Sequence, residues 1–301
     1  MCEQKTAVTL GSFDGLHKGH MTVIACAFEM QKEHGLVPLV LLFDKHPMFA
    51  LSGKAPDKVL QSSLRDGIIA ETGAQKRIVP FDLVKDMTCR EFFEEILIEK
   101  LNAGGVCCGW NYRFGKNNEG GIDELRSLCD EYGVKLKVSK PVDYMGNPIS
   151  STRIRQAVEG GNIPLANEML GREFRYKQTV VDGQHRGRLI GAPTINQRFD
   201  SGFVKPKKGV YASVTIVDGK EYPSVTNIGL RPSFENEDFR SETCILGFSG
   251  NLYGLEIEVR LLEYLRDEVK FNSMDELSVQ IHKDAEKSRE IFENRGEKGN
   301  V

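Results

Sequence analysis

Two histidines stand three residues apart among several glycines near the start of the chain. His17 and His20 belong to the run G-S-F-D-G-L-H-K-G-H at residues 11–20. Imidazoles at this spacing lie on one side of a helix and can serve a single bound group. The run follows residues 7–10, which are typical of a buried strand, and precedes residues 21–28, which predict a helix. A turn from a strand into a helix N-terminus offers backbone N–H groups and a positive dipole end to a phosphate.

This run therefore predicts a phosphate-binding turn with two imidazoles beside it. The residues expected to form the turn are Gly11, Phe13, Asp14 and Gly15. A buried turn with two ordinary histidines is the alternative, and the density of glycine and histidine disfavours it.

An aromatic and basic segment follows a predicted strand at residues 105–109. Asn111, Tyr112 and Arg113 lie in it, and such a turn can stack a planar ring and hold a phosphate. A solvated loop that covers the edge of the sheet is the alternative.

A second basic segment opens a predicted helix near residue 151. Ser151 and Thr152 are candidates for its N-cap, and Arg153 and Arg155 lie in its first turn. Arginine opposes the helix dipole at this end unless a polyanion is bound there, since the guanidinium group matches phosphate oxygens. A surface helix with stray charges is the alternative.

Two candidate groups lie in the second half of the chain. Residues 183–196 form a glycine- and arginine-rich stretch that ends in P-T-I-N, and Thr194 and Asn196 offer the oxygen ligands that Mg²⁺ prefers. Glu242 lies in a strand-like segment, where a solvent-facing carboxylate is the alternative to a catalytic one.

The elements that must position these residues change in type along the chain. Residues 1–165 alternate between strands and helices, and the continuous apolar run at residues 37–43 suits a parallel strand covered on both faces. The predicted fold of this half is a doubly wound, Rossmann-like parallel sheet. Residues 166–295 are predicted to form short strands in an antiparallel barrel, followed by a helix that begins after Ser273. Residues 296–301 are predicted to form a disordered tail.

Local patterns predict several details of these elements. Thr88 and Glu91 have the T-x-x-E spacing of a capping box, and Ser273 and Glu276 repeat that spacing at the last helix. Asp218-Gly219 predicts a hairpin turn. The last helix is expected to dock on the barrel by an apolar stripe of Leu277, Ile281, Ala285 and Phe292.

Composition narrows the class of protein. A formal net charge of -3 over 301 residues argues against a surface for nucleic acid, and no apolar run reaches the length of a membrane span. The seven cysteines form no C-x-x-C pair, which favours reduced core thiols. We expect a cytoplasmic protein with small-molecule partners and with neither a nucleic acid nor a membrane partner. The sequence specifies no oligomeric state.

Two sets of motifs resemble the bifunctional bacterial riboflavin kinase/FAD synthetase family. The FMN adenylyltransferase half is similar in the segments at 11–20, F-G-K at 114–116 and I-S-S-T-R-I-R at 149–155. The riboflavin kinase half is similar in G-R-L-I-G-A-P-T-I-N at 187–196, G-V-Y-A at 209–212, N-I-G-L-R-P-S-F at 227–234, L-Y-G at 252–254 and L-R-D-E-V-K-F at 265–271. The order and spacing match over nearly the whole chain.

The resemblance implies two reactions and a role for each candidate residue. In the barrel, ATP phosphorylates riboflavin to FMN; in the α/β half, the FMN phosphate attacks the α-phosphorus of a second ATP to give FAD and pyrophosphate. The implied cofactor is Mg²⁺, and the implied partners are ATP, riboflavin, FMN and FAD. The first half contributes His17 and His20 as catalytic groups, Ser151, Thr152 and Arg155 for pyrophosphate, and Asn111 and Arg113 for flavin. The second contributes Glu242 as general base, Thr194 and Asn196 for Mg²⁺, Gly187, Arg188 and Gly191 for ATP, and Arg266 for flavin.

Several positions depart from the family pattern. Lys45 precedes His46-Pro47, Ala192 precedes Pro193-Thr194, Gln197 follows Asn196, and Cys244 stands two places after Glu242. Two alternatives to the bifunctional enzyme therefore stay open at this point. In one, only the adenylyltransferase half is active; in the other, the chain is a flavin-responsive regulatory protein without catalysis.

Overall fold

The chain folds as two units. The computed structural model describes residues 4–48, 53, 55–181, 194–231 and 238–295. The first unit comprises residues 1–58 and 62–151, and the second comprises residues 59–61 and 152–301. The predicted tail at residues 296–301 lies outside the described residues.

A parallel sheet of five strands is the centre of the first unit. The strands are β1 (Thr6–Leu10), β2 (Val37–Phe43), β3 (Gln75–Val79), β4 (Ala103–Gly109) and β5 (Lys135–Ser139), in the spatial order β3-β2-β1-β4-β5. The chain leaves the central strand β1 toward β2 and later returns to its other side at β4, so the sheet has a topological switch point at β1. Ligands bind at the carboxyl ends of the strands at such a point. The predicted doubly wound sheet is confirmed.

Helices flank this sheet. They are α1 (Lys18–His34), α2 (Ser62–Thr72), α3 (Phe81–Val84), α4 (Cys89–Glu91, continued by a π-helical segment, Phe92–Lys100) and α5 (Ile122–Tyr132). The predicted capping box is present at α4, because Thr88 and Glu91 bond each other's backbone N–H groups. The π-helical continuation was not expected; it buries Phe92, Phe93, Ile96 and Leu97 on the sheet.

A closed antiparallel barrel is the centre of the second unit. Its strands are β8 (Phe174–Val181), β9 (Thr194–Arg198), β10 (Gly209–Val217), β11 (Lys220–Arg231), β12 (Asp238–Ile245) and β13 (Glu256–Arg266), in the order β10-β11-β12-β9-β8-β13. Asp218 and Gly219 adopt positive φ angles of 49° and 75° between β10 and β11, which is the two-residue hairpin turn that their types predict. The predicted barrel is confirmed. Strand β9 was not among the predicted strands, because it has only five residues and most of them are polar.

Three helices and a small hairpin complete the chain. The hairpin pairs β6 (Asp143–Tyr144) with β7 (Asn147–Pro148), and α6 (Ser151–Glu159) and α7 (Ile163–Leu170) lead into the barrel. In α7, Asn167 Nδ2 donates to the Leu261 carbonyl at 3.0 Å, and Asn167 Oδ1 accepts the N–H of Phe174 at 2.6 Å. A domain boundary at residue 165 stays a prediction.

The last helix, α8 (Met274–Asn294), lies on the outside of the barrel. Ser273 caps it by accepting the N–H of Glu276 at 3.2 Å, while the Glu276 carboxylate accepts the N–H of Asn272 rather than that of Ser273. Ala285 packs against Cys244 and Leu246, and Phe292 packs against other barrel residues. The predicted docking of the helix by this apolar stripe is confirmed.

Candidate active sites

The loop between β1 and α1 is tightly wound around two buried side chains. Phe13, Gly15 and Leu16 have positive φ angles of 47°, 81° and 43°. The side chains of Phe13 and Leu16 are fully buried and hold the loop from within. Phe13 was predicted to bind phosphate, and its burial leaves only its backbone for that role.

The two imidazoles stack on each other at the start of α1. His17 is the N-cap residue, and its Nδ1 accepts the backbone N–H of His20 at 3.3 Å. The ring centroids are 3.7 Å apart with 16° between the planes. Since Nδ1 of His17 accepts a hydrogen bond, the proton of the neutral ring is on Nε2.

Gly19 keeps the His17 ring in this position. A Cβ atom at residue 19 would lie 3.2 Å from both Cε1 and Nδ1 of the imidazole. Gly11 has a similar relation to Phe13, whose ring would lie 3.3 Å from an added Cβ. The glycines of this motif therefore make room for the rings that shape the loop.

Ser151, the last residue of the first unit, is hydrogen-bonded to the same loop. Ser151 Oγ donates to the carbonyl oxygen of Asp14 at 2.7 Å. This hydrogen bond joins two of the predicted phosphate-binding residues, although they are 137 positions apart in the chain. Thr152 and Arg155 follow in the first turns of α6, where Thr152 is exposed and Arg155 is partly exposed.

Lys45, which departs from the family pattern, is engaged at the end of β2. Its Nζ lies 2.5 Å from Asp82 Oδ2, and this hydrogen bond raises the pKa of Lys45. The preceding Asp44 accepts the backbone N–H of Phe81 at 2.7 Å. Both contacts join the end of β2 to helix α3. Lys45 therefore stabilises the turn in which it departs from the family pattern.

The aromatic turn after β4 divides into exposed and structural residues. Asn111 and the neighbouring Trp110 are exposed at the carboxyl end of the strand. Tyr112 stacks on Phe114 with ring centroids 5.9 Å apart, and burial raises the pKa of its phenol. Asn111 is therefore placed where a ligand at this edge of the sheet can reach it.

Arg113 closes the loop that follows this turn. Its guanidinium group donates to the Asn118 carbonyl at 2.9 and 2.7 Å and to the Glu119 carbonyl at 3.3 Å. These three hydrogen bonds to the backbone indicate a structural role for Arg113. Its predicted contact with flavin stays a prediction.

Glu242 and Asn196 lie directly opposite each other on neighbouring barrel strands. The pairing of β12 with β9 aligns Glu242 with Asn196 and Cys244 with Thr194. Residues that are directly opposite in an antiparallel pair point to the same face of the sheet, and residues two apart on one strand share that face as well. All four side chains therefore share one face, and Asn196 is 1% exposed there.

Cys244 does not compete with Glu242 as a base. Burial raises the pKa of its thiol to about 11. The thiol is therefore neutral near pH 7, and the carboxylate is the better proton acceptor of the two.

The interior of the barrel contains hydrogen-bonded polar side chains, and Gln197, which departs from the family pattern, is one of them. Its Nε2 donates to the carbonyls of Gln178 and Ile257, both at 2.7 Å. A chain of hydroxyl groups also crosses the interior, from Ser213 through Thr226 to Thr243, with oxygen separations of 2.7 and 2.9 Å. Gln197 is therefore hydrogen-bonded inside the barrel, and the neighbouring Asn196 points to the other face of the sheet, where Glu242 lies.

Arg266 is held in place by a residue that the sequence did not single out. Asp284 of α8 accepts from Arg266 Nη2 at 2.7 Å and from its Nε at 3.1 and 3.2 Å. Gln280 also donates to Asp284, at 2.9 Å. The position of this aspartate next to Ala285, in the apolar stripe of an amphipathic helix, was a sign that it is buried, but it did not identify Arg266 as its partner.

Gly187, Arg188 and Gly191 lie outside the described residues. Among the residues that are described, no group of three or more His, Cys, Asp or Glu side chains could hold a metal. None of the helices in that part of the chain has the length and apolar character needed to span a membrane.

The fold and the comparisons with known proteins define the class of protein. A parallel sheet with two stacked imidazoles after its first strand is followed along the chain by a closed barrel in which a glutamate lies opposite an asparagine. The family model described as FAD synthetase matches residues 1–153, and the one described as riboflavin kinase matches residues 170–292. The chain belongs to the bifunctional riboflavin kinase/FMN adenylyltransferase family, and it is an enzyme.

Curated relatives match over nearly the full length. Each of the following is described as a bifunctional riboflavin kinase/FMN adenylyltransferase. The protein of Haemophilus influenzae is 34% identical over 96% of this chain and 95% of its own. The corresponding values are 32%, 97% and 94% for Bacillus subtilis and 34%, 96% and 94% for Escherichia coli K12.

A solved structure shares the fold of the whole chain. It is described as a macrolide-efflux protein from Streptococcus pneumoniae, with a TM-score of 0.87 and 30% identity over 96% of this chain and 95% of its own. The likeness concerns the path of both units, whereas the family assignment comes from the family models and the curated relatives.

Proposed function

We propose that each unit carries one of the two activities of the family at the residues described above. The first unit joins FMN to the adenylyl group of ATP, and the second phosphorylates riboflavin. The observation that carries this assignment is that each unit has its own set of chemically suited groups. Stacked imidazoles stand at a helix N-terminus in one, and a carboxylate stands beside a buried amide in the other.

Adenylylation at the first site needs electrostatic stabilisation more than proton transfer. A phosphate oxygen of FMN forms the new bond to the α-phosphorus of ATP, and the bond to the leaving pyrophosphate breaks. His17 and His20 donate hydrogen bonds to the α-phosphate as negative charge accumulates on it, together with the N-terminus of α1. The first turn of α1 contains no acidic residue that would weaken this effect.

Other residues are proposed to bind the phosphates of ATP, the pyrophosphate and the flavin. The backbone of Gly11, Phe13, Asp14 and Gly15 follows the phosphates of ATP, and Ser151, Thr152 and Arg155 hold the outgoing pyrophosphate. The hydrogen bond from Ser151 to Asp14 supports this grouping. Asn111 and Arg113 lie near the flavin.

Phosphorylation at the second site begins with a neutral alcohol. Glu242 accepts the proton of the ribityl 5′-hydroxyl. At the same time the hydroxyl oxygen forms a bond to the γ-phosphorus of ATP, and ADP leaves. General base catalysis of this kind requires a carboxylate within reach of the hydroxyl. The position of Glu242 on the face shared with Asn196 supports that role. Gly187, Arg188 and Gly191 are proposed to bind ATP, and Arg266 to contact the flavin.

The oxygen atoms of Thr194 and Asn196 suit a magnesium ion. Both residues lie on one face of β9, and the buried Asn196 faces the carboxylate of Glu242 across the strand pair. Hydroxyl and amide oxygens are hard ligands that fit Mg²⁺ together with the phosphates of ATP. When bound, the ion would neutralise charge on those phosphates.

We further propose that the protein works in the cytoplasm. The cysteines in the described part of the chain, Cys26, Cys89, Cys107, Cys108, Cys129 and Cys244, are all free. Reduced thiols are typical of that compartment.

A direct assay tests the assignment. The purified protein is incubated with riboflavin, ATP and Mg²⁺, and the flavins are separated by chromatography. Both FMN and FAD are expected to form. FAD formed only from supplied FMN would leave the first site alone active, and flavin binding without ATP turnover would contradict both assignments.

A further inference from the structure

A third polar side chain belongs to the face that carries Asn196 and Glu242. The pairing of β11 with β12 places Asn227 directly opposite Glu242, just as β9 places Asn196 there from the other side. Three neighbouring strands therefore present an amide, a carboxylate and a second amide in one row across the sheet. Asn227 has no role in the function proposed so far.

The amide of Asn227 is oriented by a carboxylate. Its Nδ2 donates to Glu268 Oε1 at 3.0 Å. Because an ionised carboxylate only accepts hydrogen bonds, the nitrogen of the amide must be the atom that faces Glu268. The oxygen of the amide is thereby turned the other way.

That oxygen is an acceptor without a donor. Asn227 Oδ1 is buried and receives no hydrogen bond from any residue that the structure describes. Leaving a buried acceptor unsatisfied is unfavourable, and such atoms in native proteins call for an explanation. A donor supplied by a ligand would satisfy it.

Gly229 allows the orienting contact to form. A Cβ atom at residue 229 would lie 2.8 Å from Glu268 Oε1, so any larger residue would displace the carboxylate. Asn227 and Gly229 are two apart on β11 and share one face. The N-x-G spacing in the segment at 227–234 and the glutamate in the segment at 265–271 are thus parts of one arrangement.

We propose that Asn227 is a substrate-specificity residue of the riboflavin kinase site and that Glu268 is its positioning residue. Asn227 Oδ1 accepts a hydrogen bond from a hydroxyl group of the ribityl chain. The chain is the matching ligand because it carries several hydroxyl donors next to the hydroxyl that Glu242 deprotonates. Glu268 acts through Asn227 by holding the amide with its oxygen toward the substrate. This inference rests on the proposed function of the second unit.

The test compares riboflavin with lumiflavin, which has the same ring system and no ribityl chain. FMN formation is measured for the full-length protein and for Asn227→Ala, with lumiflavin as a competitive inhibitor. We expect the KM for riboflavin to rise about tenfold in the variant, the order expected for one lost hydrogen bond. The inhibition constant of lumiflavin and the KM for ATP should not change.

Glu268 supplies a second pair of variants on an exposed segment. Glu268→Ala frees the amide and should raise the KM for riboflavin severalfold. Glu268→Gln keeps an oxygen that accepts from Asn227 Nδ2 and should restore a value close to that of the wild type. This pair decides the matter if Asn227→Ala does not fold, and FAD formation from supplied FMN reports whether the first unit is intact.

The results separate this inference from the function on which it rests. A wild-type protein that makes no FMN contradicts the proposed function before any variant is compared. A wild-type protein that makes FMN, with an unchanged KM for riboflavin in Asn227→Ala or in both Glu268 variants, overturns the role of Asn227. An equal loss of affinity for lumiflavin and riboflavin also overturns it, since the contact would then involve the ring system.

Discussion

The two candidate sites are built in different ways. The proposed catalytic groups of the first site belong to residues 11–20, a single run of chain whose backbone and two imidazoles surround the start of one helix. The second consists of side chains from β9, β11 and β12 that are distant in the sequence and meet through strand register. A site made by one local run keeps its geometry as long as that run folds, whereas a site made by register depends on every strand pairing around it.

The chemistry of the nucleophiles accounts for this contrast. The nucleophile proposed for the first site is a phosphate that is already ionised, so the site has to supply donors, and a helix N-terminus supplies them without an acidic side chain. The nucleophile proposed for the second site is an alcohol, which must lose a proton. A carboxylate is therefore needed there, and barrel strands place it opposite oxygen ligands.

The largest expected effect concerns the imidazoles of the first site. His17→Ala should lower FAD formation about 10²- to 10³-fold, the range for the loss of one preorganised donor, and leave FMN formation unchanged. His20→Ala should behave in the same way. Chromatography of the flavins measures both reactions in one sample.

A matched variant separates catalysis from capping at His17. Asn is a preferred N-cap residue, so His17→Asn should preserve the stability of α1, which His17→Ala lowers by about 1 kcal/mol. FAD formation should be lost equally in both variants. Wild-type FAD formation by His17→Asn would show that His17 serves only the helix.

The reverse effect is expected in the second site. Glu242→Gln removes the proposed base while keeping its size, and it should lower FMN formation about 10²-fold or more. FAD formation from supplied FMN should not change. Glu256→Gln, at an exposed carboxylate on β13, is the control, and an equal loss of FMN formation in that variant would contradict the assignment.

A smaller effect is expected from the contact between α8 and the barrel. Asp284→Ala leaves the guanidinium group of Arg266 without its buried partner and should destabilise the second unit by about 2 kcal/mol, reduced from the value for a fully buried pair by the partial exposure of Arg266. Riboflavin binding should weaken and FAD formation should persist. Thermal unfolding and the KM for riboflavin measure the two effects.

An exposed aspartate on the same helix is the control for that change. Asp275→Asn alters charge in the first turn of α8 without touching the barrel pair. If both variants changed the KM for riboflavin equally, the effect would come from the charge of the helix and would not come from Arg266.

The smallest expected effect concerns a single methyl group in the first site. Gly19→Ala should slow FAD formation severalfold, because the added Cβ would press on the His17 ring at 3.2 Å. The same contact should cancel part of the gain of about 0.5–1 kcal/mol that helix propensity gives to an unhindered alanine. Thermal unfolding and the rate of FAD formation measure the two effects.

A second helical glycine provides the comparison. Gly67 lies in α2 and an added Cβ there would meet no atom within 4 Å. Gly67→Ala should give the full gain of about 0.5–1 kcal/mol in stability with no change in FAD formation. A loss of activity in both variants would contradict the steric explanation.

Local patterns were sufficient for several elements of this protein. The capping box at Thr88, the Asp218-Gly219 hairpin and the apolar stripe of α8 were all predicted from residues within one or two turns of each other. Strand β9 was missed because it is short and polar, and its formation depends on pairing with β8 and β12. Short strands of this kind are specified by their neighbours.

The candidate sites follow the same division. Residues 11–20 were predicted to bind phosphate from their types alone. The stacking of His17 on His20 follows from a spacing of three at a helix start, so the sequence contained that geometry. Asp284 could not be paired with Arg266 in advance, because an ion pair between a strand and a distant helix leaves no periodic pattern.

By itself, the sequence determined the two fold classes, most of the elements in their order and, through its motifs, the family. Only the tertiary structure decided which groups meet. The Ser151 hydroxyl bonds the Asp14 carbonyl, Glu242 lies between Asn196 and Asn227, and the Glu268 carboxylate lies beside Gly229. The physical reason is the range of the interactions. Helix capping and turn formation act over a few residues, whereas strand register and helix docking are settled by burial and pairing across the whole unit.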